Sequence, residues 1–184
     1  MVDQPPSNKR SILQWEVLGA VFIFSAGSIL HFVFAWTNHW VPIALVAAVN
    51  ESVWEHLKLA FWPGLAWSLL PNWWSPAGTG ERVAIRGFSL LLTALIIVVV
   101  FKVYTGLLGR NLLALDIGIF ALAIIVGQML VFRLLQRSAP HRLVVSIGAG
   151  LLILQLISYS LFTYFAPDFW LFVDSRTGLS GFQF

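Results

Sequence analysis

The chain has 184 residues, 59% of them hydrophobic and only 10% charged, with a mean hydropathy of +0.85. A soluble domain of this size carries roughly 25% charged residues, so the shortfall makes lipid the main solvent and sets a soluble globular domain aside. Cysteine is absent, which removes disulfides, thiolate nucleophiles and Cys-ligated zinc, and the formal charge of +3 sits between apolar runs, where it signals topology and not nucleic-acid binding.

Residues 1–10, MVDQPPSNKR, are polar and read as a short flexible cytoplasmic tail. The apolar run after them is too long for a cleavable signal sequence, and residues 11–166 are expected to form one transmembrane domain. Its first span is predicted over Leu13–Trp36, since ~20 mostly apolar residues cross a bilayer core. The run Val41–Leu70 exceeds one span, being ~45 Å long as a helix, and a break is expected at Asn50-Glu51-Ser52. Ser52 and Glu55 have capping-box spacing, which starts a helix at that point. Val41–Val49 then becomes a short outer or re-entrant segment and Ser52–Leu70 the second span, with Pro63 as a kink point. One long tilted helix emerging from the membrane is the alternative. Further spans are predicted over Val83–Tyr104, Leu112–Leu134 and Leu143–Phe165, and residues 167–184 form an outer C-terminal tail. Alternation of period two is absent, and backbone groups in lipid must bond internally. The expected class is therefore an all-α integral membrane bundle of about five transmembrane helices, with a break or re-entrant segment before the second.

Lys9, Arg10, Arg82, Arg86, Arg133, Arg137 and Arg142 fall on one side of these spans, and Arg110 and Arg176 on the other, with Lys102 placed to snorkel. The positive-inside rule then puts the N-terminus in the cytoplasm and the C-terminus outside the cell (inner) membrane. Trp15, Trp36, Trp40, Trp73, Trp74 and Trp170 lie near span ends, as an aromatic belt requires. Gly27, Ser28, Ala123, Gly127 and Gly148 read as close helix-packing positions.

The densest polar stretch is Asn50-Glu51-Ser52-Val53-Trp54-Glu55-His56-Leu57-Lys58. An ionisable group at the bilayer centre costs about 2.5–3.5 kcal/mol on insertion scales, so this many together need compensation. On a helix Glu51, Glu55 and Lys58 share one stripe, with His56 about a quarter turn away. His31, Tyr104, Asp116, Gln155, Tyr159 and Asp174 fall at a similar, outer depth. His31, His56, Glu51 and Asp116 supply nitrogen and oxygen donors of the kind zinc, iron or manganese accepts. Glu55 and Glu51 are the catalytic carboxylates to expect beside a metal-bound water, and Asn50, Lys58 and Asp174 are supporting residues.

On this reading the protein is a hydrolase or transferase acting on a lipid or lipid-linked substrate from the outer leaflet. No H-E-x-x-H is present, so the ligands must come from several helices. Plain structural roles stand beside the chemical ones. His31 suits a buried histidine bonded to a neighbouring helix, Glu55 and Lys58 an i,i+3 ion pair, and Asp116 a first-turn acid favoured by the helix dipole. The tail residues Asp174–Gly178 have the composition of an Asx-type turn. A second class is a small ion-coupled transporter, in which a discontinuous helix meets carboxylates; its size would call for a homo-oligomer. A third is a non-catalytic subunit of a larger membrane complex, where His31 and His56 give only a weak haem signal without C-x-x-C-H.

The stretch Phe24 to Pro63 resembles an uncharacterised bacterial family of small multi-pass membrane proteins, a domain of unknown function. Ser28 with His31-Phe32, the block Val49 to Leu59, and Phe61-Trp62-Pro63 carry the resemblance. Tyr104-Thr105-Gly106, Leu108-Gly109, Asp116-Ile117, Leu171-Phe172, Asp174, Thr177-Gly178 and Gly181 extend it over most of the chain. Ser175 stands where the pattern has proline and Ser180 where it has tyrosine. The resemblance implies a five-helix membrane domain and carries no activity.

Overall fold

The structure, a computed structural model, describes residues 9–72, 75, 77–136 and 141–182. Tail residues 1–8, the belt residues Trp73 and Trp74, and Arg137 lie outside the described residues. The described residues form five helices, as the hydropathy predicts: α1 (Lys9–Trp36), α2 (Val53–Leu69), α3 (Thr79–Leu108), α4 (Leu113–Leu135) and α5 (Arg142–Tyr164). Short 3₁₀ turns occupy Val41–Leu45 and Trp170–Phe172. The extended pairing among the described residues is one antiparallel bridge, Val173 with Ser180.

α1, α3, α4 and α5 are each long and apolar enough to cross a membrane. α2 has 17 residues and is mostly buried among the others. The outer faces expose Val17, Leu18 and Val21 on α1 and Ile153, Leu154 and Ile157 on α5. Apolar surface this continuous belongs against lipid. α3 runs beyond its predicted ends because hydropathy marks only the apolar part of a helix. At its start the Glu81 carboxylate accepts the Gly78 N–H at 2.9 Å, and at its end Gly109, at φ 66°, provides the left-handed cap.

α1 packs on α2 and α4, and α3 on α2, α4 and α5. Three of the small residues picked out in the sequence each mark one crossing. A Cβ at Gly27 would stand 2.5 Å from the Leu59 carbonyl of α2. One at Gly127 would meet Thr93 and Ser89 of α3, and one at Gly148 the Ala84 carbonyl of α3. Without a hydrophobic drive between helices in lipid, such close approach supplies the packing energy. Ala123 is fully buried, and its carbonyl accepts the Thr93 hydroxyl at 3.3 Å, whereas the Ser28 hydroxyl bonds Phe24 within its own helix.

The break before α2 is what positions the polar residues. After Trp36 the chain turns through Asn38 and His39, both at positive φ (52° and 60°), into the 3₁₀ turn. Ala44 and Ala47 are fully buried and pack with Phe34 and with Phe182 of the tail. Ser52 is extended (φ −76°, ψ 153°) and its hydroxyl accepts the Glu55 N–H at 3.4 Å, as the N-cap reading requires. The reciprocal arm of the capping box differs from expectation: the Ser52 N–H goes to Asn50 Oδ1 at 3.0 Å. That satisfies the donor locally and leaves the Glu55 carboxylate to turn inward.

Candidate metal centre

The C-terminal part of α1 presents His31 toward the start of α2. His31 Nε2 and His56 Nε2 stand 3.1 Å apart, and Glu51 Oε2 lies 3.6 Å from the first and 3.5 Å from the second. Ligand atoms held ~2.0–2.1 Å from one tetrahedral zinc are about 3.3 Å from each other, so this triangle is close to metal-ligand spacing. The His56 Nδ1 is 2.7 Å from the Ser52 carbonyl. A carbonyl only accepts, so the hydrogen is on Nδ1, and a neutral ring directs its Nε2 lone pair at the triangle. Two facing Nε2 atoms at this distance share one proton or one cation. The three side chains are 27%, 32% and 24% exposed, which leaves the group reachable from outside.

Glu51 is not on the Glu55–Lys58 stripe. It precedes the helix, and the extended Ser52 swings it toward the histidines. The contact with His31 holds its carboxyl below the usual carboxylate range, against partial burial, with the Arg176 guanidinium adding to the shift. The tail folds across this point. Arg176 Nη2 lies 3.3 Å from Glu51 Oε1, the Glu51 N–H donates to Asp174 Oδ2 at 3.2 Å, and Asn50 Nδ2 donates to the Gly181 carbonyl at 2.9 Å. Asp174 Oδ1 also accepts the N–H groups of Arg176 (2.6 Å) and Thr177 (3.2 Å), which forms the expected Asx-type turn, with Gly178 at φ 73°. Asp174→Ala removes the acceptor of three N–H donors. Each such bond to a charged group is worth ~1.5–3 kcal/mol, so cleavage by trypsin after the exposed Arg176 is expected to speed up by about tenfold or more. An unchanged cleavage rate would show that the turn does not hold the tail.

Glu55 and Lys58 face the interior. Their ion pair is 2.7 Å long, with the two side chains 3% and 0% exposed. Lys58 Nζ also donates to the Ala44 carbonyl and to Thr163 Oγ1, both at 2.7 Å, and Glu55 Oε2 accepts the Val49 N–H at 3.0 Å. Thr163 Oγ1 lies 3.2 Å from Glu55 Oε1. The pair ties the break, α2 and α5 together directly behind the triangle. Both side chains are enclosed within the protein, in contrast to the partly exposed triangle.

Asp116 stands apart from the triangle. Its carboxylate accepts from the Tyr104 hydroxyl and from Asn111 Nδ2 at 3.4 Å, which closes the turn between α3 and α4. Those donors satisfy it locally, so α4 contributes no ligand to the group of three. Gln155 donates to the Gly87 carbonyl at 3.0 Å, and Tyr159 is buried between Trp54 and Phe61. Equal depth in the sequence thus resolves into separate polar groups, each with its own partners.

Sequence reasoning assigned no role at the centre to Arg176, Thr163 or the Ser52 carbonyl. It also read Arg86 only as a topology charge, although its side chain is 4% exposed and paired with Glu16 at 3.3 Å. An ionisable Glu16 four residues into the first predicted span was the available signal.

A model of a family described as a family of unknown function (DUF6512) matches residues 6–182. No curated protein and no solved structure matches the chain.

Proposed function

The chain belongs to this family of unknown function, so the activity must come from its own residues, and we propose that it is a membrane-embedded, metal-dependent hydrolase or transferase. His31, His56 and Glu51 hold one divalent cation, with zinc favoured by a two-histidine, one-carboxylate donor set that leaves a fourth position open. The observation that carries this is the Nε2–Nε2–Oε2 triangle with edges of 3.1, 3.5 and 3.6 Å. A cation held there supplies Lewis acidity or an activated water at neutral pH. The chain's own part is to fix the ligands. The Ser52 carbonyl sets the His56 ring, the Glu55–Lys58 pair braces the helix start, and Asp174 and Asn50 seat the tail.

The substrate class follows from the rim. Phe32 and Trp36 are exposed beside the group, and Arg176 is 75% exposed with one guanidinium nitrogen on Glu51. An apolar wall next to an open cation suits a lipid or lipid-linked molecule with a polar head. The excess of basic residues at the opposite end of the spans supports an outer-leaflet location for this end.

Metal analysis of the detergent-purified full chain tests the reading. One divalent cation per chain is expected. His56→Ala and Glu51→Ala are expected to weaken its binding by more than the roughly 10–100-fold that loss of an outer-shell partner brings, while Asp116→Asn retains it. A folded protein that takes up no cation removes the proposal. The break before α2 is the observation that favours an ion-coupled carrier instead, and cation flux in liposomes without hydrolysis would select that reading.

A further inference from the structure

The far end of the bundle holds a second polar cluster, about 22 Å along α1 from His31 at the rise of a helix. Arg86 of α3 reaches Glu16 of α1 at 3.3 Å through Nη2 and donates to Gln128 Oε1 of α4 through Nη1. Gln128 Nε2 closes the loop by donating to the Glu16 carbonyl at 3.1 Å. Two donors are left over: Arg86 Nε and Trp67 Nε1 are buried and have no acceptor among the described residues. Their residues are 3% and 8% exposed. Both residues line one recess between α1, the end of α2 and the start of α3, together with Asn72 and Arg82.

Arg82 is half-buried at this recess. Its guanidinium bonds the Ala77 carbonyl and Thr79 Oγ1, each at 3.1 Å, and keeps further N–H groups. Among the described residues, the charged groups of the recess are therefore two arginines and one glutamate, a surplus of one positive charge with unmet donors. Buried donors without partners are costly, and the group that would satisfy both is a negatively charged one carrying several acceptor oxygens. The indoles of Trp15 and Trp67, 4.6 Å apart between centroids, and the exposed Leu70 add an apolar wall. The recess lies at the end of the bundle where Lys9 and Arg10 sit, the side that the distribution of basic residues assigns to the cytoplasm.

We propose that this recess binds a phosphate group, carried by an anionic phospholipid headgroup or by a free phosphate anion. It is a site separate from the His31–Glu51–His56 centre and does not depend on a metal there. The test is native mass spectrometry of the full chain released from micelles doped with phosphatidylglycerol or with phosphatidylcholine, with thermal protection by inorganic phosphate as a parallel arm. Selective retention of one phosphatidylglycerol supports a lipid, and protection by inorganic phosphate alone supports the free anion. Arg82→Gln, outside the buried network, is expected to weaken binding about fivefold, the effect of one basic residue near a lipid head. Trp67→Phe keeps an aromatic ring and removes the indole N–H, and is expected to weaken binding as well. Equal retention of both lipids with no protection by phosphate overturns the proposal. So does binding that both variants leave unchanged.

Discussion

Replacing Lys58 with methionine is expected to cost about 3–5 kcal/mol of stability, the range for breaking a buried ion pair by removing one partner. The substitution keeps the volume of the stem but strands the Glu55 carboxylate, which is 3% exposed. It also deprives the Ala44 carbonyl and Thr163 of their donor. SDS-induced unfolding in mixed micelles measures the loss. The double substitution Glu55→Leu with Lys58→Met should be less damaging than the single one, because it leaves no uncompensated charge. A single-variant cost below about 1 kcal/mol would mean that water or another group already satisfies Glu55.

The second large effect is steric. Gly148→Leu places a side chain where a Cβ alone would collide with the Ala84 carbonyl and come within 2.8 Å of Phe88. The obstacle is backbone of the neighbouring helix, which cannot rotate away, so α3 and α5 must separate. A loss of about 3 kcal/mol, the upper part of the overpacking range, is expected. Gly150→Leu serves as the control, since nothing lies within 4 Å of its Cβ position; it should leave unfolding unchanged. Equal behaviour of the two variants would show that the α3–α5 crossing is not the close contact described.

The helices were legible because lipid imposes one simple rule, a long apolar run with internally bonded backbone. The break before α2 was legible from Ser52 and Glu55 alone, since an N-cap signal interrupts hydropathy that would otherwise run on. The association of His31 with His56 and Glu51 was readable as shared depth, but its partition was not. The stripe Glu51–Glu55–Lys58 assumed that the helix continues through Ser52. Its ψ of 153° sends Glu51 to the histidines and leaves Glu55 and Lys58 in the core. Asp116 fell at the same depth, yet Tyr104, twelve residues earlier on the adjoining helix, takes up its carboxylate. Depth is one coordinate, whereas contact also needs the rotation of each helix about its axis. Arg86 was masked for a related reason: a basic residue near a span end serves the positive-inside rule equally well exposed or buried.

X-ray absorption at the zinc edge, on the zinc-loaded full chain, probes the centre most directly. Two imidazole nitrogens and a carboxylate oxygen at ~2.0–2.2 Å are expected, with the imidazole signal lost when His31 and His56 are both replaced by alanine. A zinc environment without imidazole, or one identical in that double variant, would contradict the assignment of His31, Glu51 and His56 as the ligands.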